Sequence, residues 1–298
     1  MDFGALVNSA LMLRGTSRSI NFRIDNRQFE AVVPGDSVFF SIKDILFNRE
    51  YELFPQFELM TRPRQVVIDA GAHAGLYTII ASIRAKKVVA LEPDEDVFQT
   101  LSANIERNRL SNVSLLKSAL WKENSLVKFY RRGNSQLGSM RTRKNIEPVM
   151  VEAVSLEQLL VKTLRGQGGR VDLLKLDIEG TEFELISGSD GETLERISRI
   201  VAEIHTEHGD IRLLTNKLKE RGFSYVLAKR PIRKPGYTPV HIVADYKIKL
   251  LMRSVNLIID LSRYSDWSSL LLFASKDPGD FQNLEINSLR GRIMETSL

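Results

Sequence analysis

The chain has 298 residues, 43% of them hydrophobic, which is enough for one large α/β core with appended segments. Its formal net charge of +5 is compatible with an anionic partner but does not require one, and the absence of cysteine excludes disulfides, thiolate nucleophiles and cysteine-ligated zinc. No apolar run approaches the roughly 20 residues of a membrane span. The N-terminus also lacks the pattern of a secretory signal, so we expect a cytoplasmic protein.

Residues 1–64 are predicted to form an N-terminal cap on the substrate side of the main domain. We expect a hairpin around Pro34, Gly35 and Asp36, followed by an amphipathic stretch over residues 42–60. Neither feature belongs to the regular alternation of elements that begins at residue 65.

The main domain, residues 65–276, alternates strand-like and helical patterns. Apolar runs typical of buried strands occupy residues 66–70, 88–91, 113–117, 171–177 and 200–204. Between them, apolar residues one turn apart predict one buried face on each of two helices: Leu76, Ile79, Ile80 and Ile83, then Val97, Leu101 and Ile105. This alternation predicts a doubly wound, Rossmann-like, mostly parallel sheet with helices on both faces.

Two capping-box spacings predict further helix starts, at Ser155 with Gln158 and at Thr181 with Glu184. Near the C-terminus, the proline-containing residues 230–266 are predicted to be an insertion before the last strand. That strand is expected at residues 270–273. Residues 277–298 are expected to be a polar tail that frays.

The most informative motif joins the first strand of the main domain to a helix. The strand ends at Asp69, and Gly71 and Gly75 in the following turn would let a ligand approach the backbone closely. The spacing G-x-x-x-G lacks a glycine of the dinucleotide-binding pattern G-x-G-x-x-G, so a pyrophosphate is not favoured. The favoured ligand is S-adenosylmethionine, whose ammonium a carboxylate such as Asp69 can hold. A purely structural turn is the alternative.

Glu92 ends the next predicted strand, about 20 residues after the glycine turn. An ionised carboxylate there can accept both hydrogen bonds of a ribose diol, whereas an isolated glutamate would be a solvated side chain. Because an NAD enzyme would show the same feature, this pair of motifs predicts an adenosine-type ligand without predicting a reaction.

Candidate bases lie at the ends of two later strands. Asp177 and Glu179 follow the apolar run that contains Lys175, and His205 ends the next run two residues after Glu203. Methyl transfer needs positioning, and a hydroxyl acceptor also needs a proton acceptor, so Asp177, Glu179 and His205 are the candidate catalytic residues. The alternatives are a structural Lys–Asp pair and a structural histidine.

Other classes of site are less favoured by the sequence. The histidines show no H-E-x-x-H pattern, and no metal site is predicted. Basic clusters at Arg131 and Arg132, at residues 141–144 and at residues 230–234 could bind RNA, but no RNA-binding signature accompanies them. Nucleic acid therefore ranks below a small-molecule or glycan-type acceptor.

Taken together, these segments resemble the FkbM-type S-adenosylmethionine-dependent methyltransferases over roughly residues 51–205, with a looser fit near Phe273. The resemblance rests on the segments VVIDAGAHAGLYT, VVALEPDEDVF, VEAVSLEQLL and VDLLKLDIEGTEFELISG, followed by IVAEIH. It implies a seven-stranded sheet with an antiparallel last strand, and O-methylation of a small-molecule or glycan-type hydroxyl. The N-terminal 50 residues and the insertion lie outside it.

The same resemblance implies roles for individual residues. The methionine end of the cofactor would be lined by Asp69, Gly71, Ala72 and His73, the ribose by Glu92, the adenine by Ser118 and Ala119, and the transferred methyl by Asp177 and Glu179. The predicted cofactor-binding residues also include Gly75, Pro93 and Asp177. His73 departs from the family pattern, which has asparagine there. An RNA methyltransferase and a non-catalytic binding protein on the same fold remain the alternatives, with a dehydrogenase behind both.

Overall fold

The computed structural model describes residues 17–35, 37–38, 41–63, 65–131, 140, 147–166, 169–229, 269–281 and 293–296. Its strands are β1 (Arg18–Ile24), β2 (Arg27–Val33), β3 (Val66–Ala70), β4 (Lys87–Leu91), β5 (Val113–Leu116), β6 (Ala119–Trp121), β7 (Ser125–Phe129), β8 (Val149–Ser155), β9 (Leu173–Leu176), β10 (Arg199–His205), β11 (Ser224–Lys229), β12 (Ser269–Ser275) and β13 (Ile293–Thr296). Its α-helices are α1 (Leu76–Ser82), α2 (Glu95–Arg107), α3 (Leu156–Leu164), α4 (Glu182–Gly188), α5 (Gly191–Glu195) and α6 (Ile211–Glu220).

The central sheet has the order β13-β11-β12-β10-β9-β3-β4-β5. Strands β5, β4, β3, β9 and β10 run parallel to one another, whereas β12 is antiparallel to both β10 and β11. The predicted mostly parallel, doubly wound sheet of seven strands is therefore confirmed from β5 to β11, with β12 as its antiparallel strand, and β13 adds an eighth strand. The sequence did not predict β13, which comes from the segment expected to fray and pairs with β11 at the sheet edge.

The two faces of the sheet pack into two separate apolar cores. On β3, Val67 packs on the face beneath α1, while Val66, Ile68 and Ala70 pack on the opposite face. This alternation follows from the two-residue period of a strand, and burial on both faces is typical of a parallel sheet. The carboxyl ends of the five parallel strands thus meet at one edge, between two layers of packed side chains.

Helix α1 is buried on all sides, although the sequence pattern predicted one buried face. All seven of its residues are buried. Part of the cause is the N-terminal segment, because Ile42 and Leu46 of the π-helical turn Ser41–Asn48 and Phe22 of β1 share the apolar core of α1. The segment expected to be a cap therefore covers the helix that follows the glycine turn.

The predicted position of the N-terminal hairpin was wrong. The hairpin of β1 and β2 turns at Asp25 and Asn26, not around Pro34, Gly35 and Asp36, because both residues adopt positive φ angles of 46° and 63° that suit a tight two-residue turn. Pro34 and Gly35 follow β2, and Asp36 lies outside the described residues.

The two predicted helix caps had opposite outcomes. Ser155 caps α3 by accepting a hydrogen bond from the backbone N–H of Gln158 at 3.1 Å. Thr181 makes no capping bond to α4. Glu182 instead holds the turn that precedes α4, since its carboxylate accepts hydrogen bonds from the backbone N–H groups of Ile178 and Gly180.

Several predicted segments lie outside the described residues: the insertion at 230–266, the basic clusters at 141–144 and 230–234, and Arg132. The predicted last strand, residues 270–273, lies within β12. In the part of the chain that the structure describes, no helix has the length and apolar character needed to cross a membrane.

Asn104 of α2 and Asn108, the C-cap of that helix, attach the N-terminal hairpin to the main domain. Asn104 accepts a hydrogen bond from Val32 N–H at 2.8 Å and donates to Val32 C=O at 2.7 Å and to Ala74 C=O at 2.8 Å. One turn later, Asn108 makes the same pair of bonds to Glu30, at 3.0 and 2.6 Å. The two amides thus pair with the edge of β2 as a neighbouring strand would.

We expect Asn104→Ala to lower the free energy of unfolding by about 2 kcal/mol, because it removes the partners of two backbone groups on β2 and one beside α1. Urea denaturation followed by circular dichroism measures the loss. Gln99→Ala is the matched control, since Gln99 is an exposed amide on the same helix that bonds only within α2. Equal stability of the two variants would contradict this role for Asn104.

Candidate active site

The glycine turn is wedged between the ends of β4 and β9. The N–H groups of Gly71 and Ala72 both donate to Leu91 C=O, at 3.1 and 2.9 Å. Gly71 has a φ of +77°, and a Cβ there would lie 1.8 Å from the backbone oxygen of Asp177. Gly75 also has positive φ, and its Cβ would lie 2.5 Å from the Leu101 side chain. The spacing G-x-x-x-G therefore reflects two positions where backbone conformation and space both require glycine.

His73, which stands where the resembled family has asparagine, also adopts a left-handed conformation, with φ of 51°. Histidine and asparagine are both enriched in this region among non-glycine residues, so the backbone accommodates the departure. The N–H of His73 donates to Glu92 Oε2 at 2.9 Å. The turn is thereby tied to the end of β4.

Asp69 is completely buried, and its carboxylate does not face the crevice. Its Oδ1 lies 3.0 Å from Lys175 Nζ, and its Oδ2 accepts a hydrogen bond of 2.6 Å from the Thr78 hydroxyl. Lys175 is paired with Asp69 across the neighbouring strands β3 and β9. In this structure Asp69 supports the turn from behind, which differs from the expectation that it holds a ligand's ammonium directly.

Lys175 is the centre of this buried group. Its Nζ donates to Gly71 C=O at 2.9 Å and lies 3.6 Å from Asp177 Oδ2. Burial alone would lower the pKa of Lys175, but the carboxylates of Asp69, Asp177 and Glu203 outweigh it and raise the pKa above the ordinary value. The lysine therefore stays charged in the core and joins β3, the glycine turn and β9.

Glu92 lies at the carboxyl end of β4 with both oxygens directed to backbone amides. Oε2 accepts from His73 N–H at 2.9 Å and Oε1 from Asp94 N–H at 3.0 Å. Burial raises the pKa of Glu92 to about 7, although these two hydrogen bonds oppose the rise. Its ionised form is costly in this environment, and additional hydrogen-bond donors from a ligand would stabilise it.

Asp177 follows β9, and 27% of its side chain is accessible. Its N–H donates to Ala70 C=O, which fixes the backbone beside the glycine turn. Its Oδ2 accepts a 2.9 Å hydrogen bond from the hydroxyl of Tyr51, which also lies 3.3 Å from Glu203 Oε2. A tyrosine of the N-terminal segment therefore reaches the carboxylates that end β9 and β10.

Glu179 and His205 face each other across the ends of β9 and β10. Glu179 has a φ of 54°, and its Oε2 lies 3.6 Å from His205 Nε2. Burial raises the pKa of Glu179 to about 8, with His205 opposing the rise and Asp177, Glu203 and Glu182 adding to it. Burial alone would lower the pKa of His205, but Glu182, Glu203 and Glu179 raise it to about 10.

Glu182, at the start of α4, fixes the turn that presents Glu179. Besides accepting from Ile178 N–H and Gly180 N–H at 3.2 and 3.1 Å, its Oε1 lies 3.4 Å from His205 Nδ1. Its side chain is completely buried. One carboxylate thus holds both the turn after β9 and the histidine that ends β10.

The remaining predicted residues border the same edge. Ser118 is half-buried just after β5, Ala119 is buried at the start of β6, and Pro93 follows Glu92. The N–H of Glu92 donates to Leu116 C=O, which joins the ends of β4 and β5. All the residues predicted for the site therefore lie along the carboxyl edge of β3, β4, β5, β9 and β10, where open α/β sheets bind ligands.

Sequence reasoning missed three groups at this edge: Tyr51, Thr78 and Glu182. The position of Glu182, close behind Asp177 and Glu179, indicated that it could belong to the site, but the helix start was predicted at Thr181. No sequence pattern indicated Tyr51, because 126 residues separate it from Asp177. Among the described residues, no group of three His, Asp or Glu side chains has the arrangement of a metal site.

The sequence matches a known family and several characterised relatives. The methyltransferase FkbM domain matches residues 69–225. Methyltransferase 1 of Beauveria bassiana (strain ARSEF 2860) is 26% identical over 234 residues, which are 72% of this chain and 88% of that protein. The 31-O-demethyl-FK506 methyltransferase FkbM of Streptomyces tacrolimicus is 24% identical over 251 residues, 74% of this chain and 95% of that protein.

Solved structures give more distant similarities. The structure of M. jannaschii TYW2 in complex with AdoMet aligns with a TM-score of 0.40 and 14% identity, over 87% of this chain and 86% of that one. The family match runs from the end of β3 into β11 and spans more than half of the chain. The chain therefore belongs to the FkbM methyltransferase family and is a methyltransferase whose methyl donor is S-adenosylmethionine.

Proposed function

We propose that the enzyme transfers the methyl group to a hydroxyl of a small-molecule or glycan-type acceptor. The observation that carries this proposal is Glu179, a half-buried carboxyl beside Asp177 whose pKa is raised to about 8 by burial. A hydroxyl must lose its proton as its oxygen attacks, and a base is most effective when its pKa lies near the working pH. Glu179 meets that requirement at the edge where the sheet binds its ligand.

The residues of the crevice fit S-adenosylmethionine, which supplies a methyl group on a positively charged sulfur. Gly71 and Gly75 allow the left-handed backbone of the turn, with φ of +77° and +85°, against which the methionine end would lie. Glu92 can accept the hydrogen bonds of the ribose diol, and Pro93, Ser118 and Ala119 border the region assigned to the nucleoside. Asp177 and Glu179 provide the negative charge that suits a sulfonium.

The structure favours Glu179 over His205 as the proton acceptor. A histidine with a pKa of about 10 is protonated at neutral pH and cannot accept another proton. As a cation 3.6 Å from Glu179, it stabilises the ionised form of that carboxylate. We assign His205 to keeping the pKa of Glu179 below the value that burial and the neighbouring carboxylates alone would give it, and Asp69 to supporting the turn.

Two observations favour a small hydroxyl acceptor over RNA. The relative from Streptomyces tacrolimicus is named for methylation of 31-O-demethyl-FK506, whose name specifies an oxygen position. Arg131, the described member of the basic clusters, is paired with Asp94 at 2.8 Å and Asp96 at 3.2 Å. Its charge is therefore already matched by protein carboxylates.

Transfer of a labelled methyl group tests the acceptor class. S-adenosylmethionine with a tritiated methyl group is incubated with the enzyme and with separate RNA, lipid, glycan and small-molecule fractions of a cell extract. We expect label in the glycan or small-molecule fraction, in a product that survives mild alkali as a methyl ether does. Label that ribonuclease digestion makes acid-soluble, or that alkali releases, would contradict a hydroxyl acceptor of this class.

In the same assay we expect Glu179→Gln to lower the turnover number by about 10² to 10⁴, the usual contribution of a general base. Its affinity for S-adenosylhomocysteine should stay within about threefold, since Glu179 is not assigned to the nucleoside. Glu192→Gln is the matched control, because Glu192 is an exposed carboxylate on α5. Full activity of Glu179→Gln would remove Glu179 from the mechanism.

The raised pKa of Glu92 predicts a pH dependence of ligand binding. The ribose hydroxyls donate to the ionised carboxylate, so binding expels the proton that Glu92 holds below pH 7. The affinity for S-adenosylhomocysteine should be constant above about pH 7 and should fall below it, approaching tenfold per pH unit. Calorimetric titrations between about pH 5.5 and 8 measure this.

Two variants separate Glu92 from other groups that titrate in this range. Glu92→Gln should bind more weakly at pH 8 and lose most of the pH dependence. Glu95→Gln should keep the wild-type profile, because Glu95 is a neighbouring carboxylate that pairs with Lys117 on the surface. If the pH dependence of the affinity were unchanged in Glu92→Gln, Glu92 would not accept hydrogen bonds from the ribose.

A further inference from the structure

Tyr51 connects the N-terminal segment to the carboxyl edge of the sheet, where β9 and β10 end. It lies in the short helical turn Glu50–Glu52, outside the residues 69–225 that match the family, and it is 4% exposed. Its hydroxyl donates to Asp177 Oδ2 at 2.9 Å and lies 3.3 Å from Glu203 Oε2. A phenol carries a single proton, and the shorter distance directs it to Asp177.

The tyrosine ring has little freedom to move away. It packs edge-on against Tyr77, with ring centroids 5.8 Å apart and an interplanar angle of 81°. Lys175 Nζ lies 5.3 Å from the Tyr51 ring centroid and 5.7 Å from that of Tyr77, so both rings cover the buried lysine. The hydroxyl is therefore presented to Asp177 by a ring fixed through its own packing.

The hydrogen bond from Tyr51 acts on a carboxylate that also lies near a buried cation. Lys175 Nζ approaches the same oxygen, Asp177 Oδ2, at 3.6 Å. Hydrogen bonds to ionised groups are stronger than neutral ones, so the Tyr51 hydroxyl orients the Asp177 carboxylate together with the attraction of the Lys175 charge. Since 27% of the side chain is accessible, this orientation decides which way its charge faces in the crevice.

We propose that Tyr51 is a positioning residue whose hydroxyl holds the Asp177 carboxylate toward the transferred methyl group, so that the N-terminal segment completes the site of the family domain. The proposal rests on the proposed function, in which Asp177 faces that methyl group. Tyr51 itself touches neither the cofactor nor the acceptor in this account, and acts through Asp177.

Two ligands test this without knowledge of the acceptor. S-adenosylhomocysteine has a neutral sulfur, whereas sinefungin carries a charged amino group at the place of the transferred methyl. The wild-type enzyme should bind sinefungin more tightly, because Asp177 and Glu179 face that charge. In Tyr51→Phe we expect the affinity for S-adenosylhomocysteine to stay within about twofold and the preference for sinefungin to fall about fivefold to tenfold.

Tyr77→Phe provides a matched control. The Tyr77 hydroxyl is buried, and within the described part of the chain it makes no hydrogen bond. This variant removes the same atom from the neighbouring ring, so the preference for sinefungin should remain at the wild-type value. Asp177→Asn should reduce the preference by itself, and adding Tyr51→Phe to it should cause little further change, since the two act through one contact.

Four results would overturn the proposal. The first two concern Tyr51→Phe: an undiminished preference for sinefungin, or an equal loss of affinity for both ligands together with a lower melting temperature. The third is a wild-type enzyme that does not prefer sinefungin. The fourth is that the effects of Tyr51→Phe and Asp177→Asn on the preference simply add. A failure of the proposed function looks different. It would appear as label in RNA or as full turnover of Glu179→Gln. Both are measured with methyl transfer, whereas the test of Tyr51 compares the affinities for sinefungin and S-adenosylhomocysteine.

Discussion

The buried ion pair between Lys175 and Asp69 is the interaction on which the site depends. Two charges in the core are costly unless each is matched and hydrogen-bonded, and here Thr78 and Gly71 C=O complete the partners of the pair. These contacts join β3, the glycine turn, α1 and β9. Because Asp177 also approaches Lys175, the same lysine contacts both the glycine turn and the carboxylate that follows β9.

Around this pair, the carboxyl edge of the sheet gathers more carboxylates than cations. Glu92 and Glu179 respond with raised pKa values, and His205 with a pKa raised to about 10. Each response reflects burial and the charge of neighbouring groups, the two conditions that set protonation in a water-excluded crevice. The site is thereby suited to a positively charged methyl donor and to the removal of one proton from the acceptor, while Tyr51 brings the N-terminal segment into the same network.

The sequence was sufficient for the parts of this structure that repeat a local pattern. Hydrophobic periodicity and residue spacing predict the parallel strands, the glycine turn and Glu92, because both depend directly on local backbone geometry. The position of the N-terminal hairpin turn did not follow, because Asp25 and Asn26 form it without a glycine or proline, whereas the segment Pro34-Gly35-Asp36 carries the stronger turn signal. The burial of Asp69 and the contact of Tyr51 with Asp177 depend on tertiary packing, which leaves no periodic trace in the sequence.

A double-mutant cycle of Asp69→Leu and Lys175→Met, followed by the free energy of unfolding, tests the central role of the buried pair most directly. Each single variant leaves one buried charge without its partner and should lose about 3 to 5 kcal/mol. The double variant should lose at least about 2 kcal/mol less than the sum of the two single losses, since both charges are then absent. Additive losses would show that the two side chains act independently, and the glycine turn would then need another explanation for its fixed position.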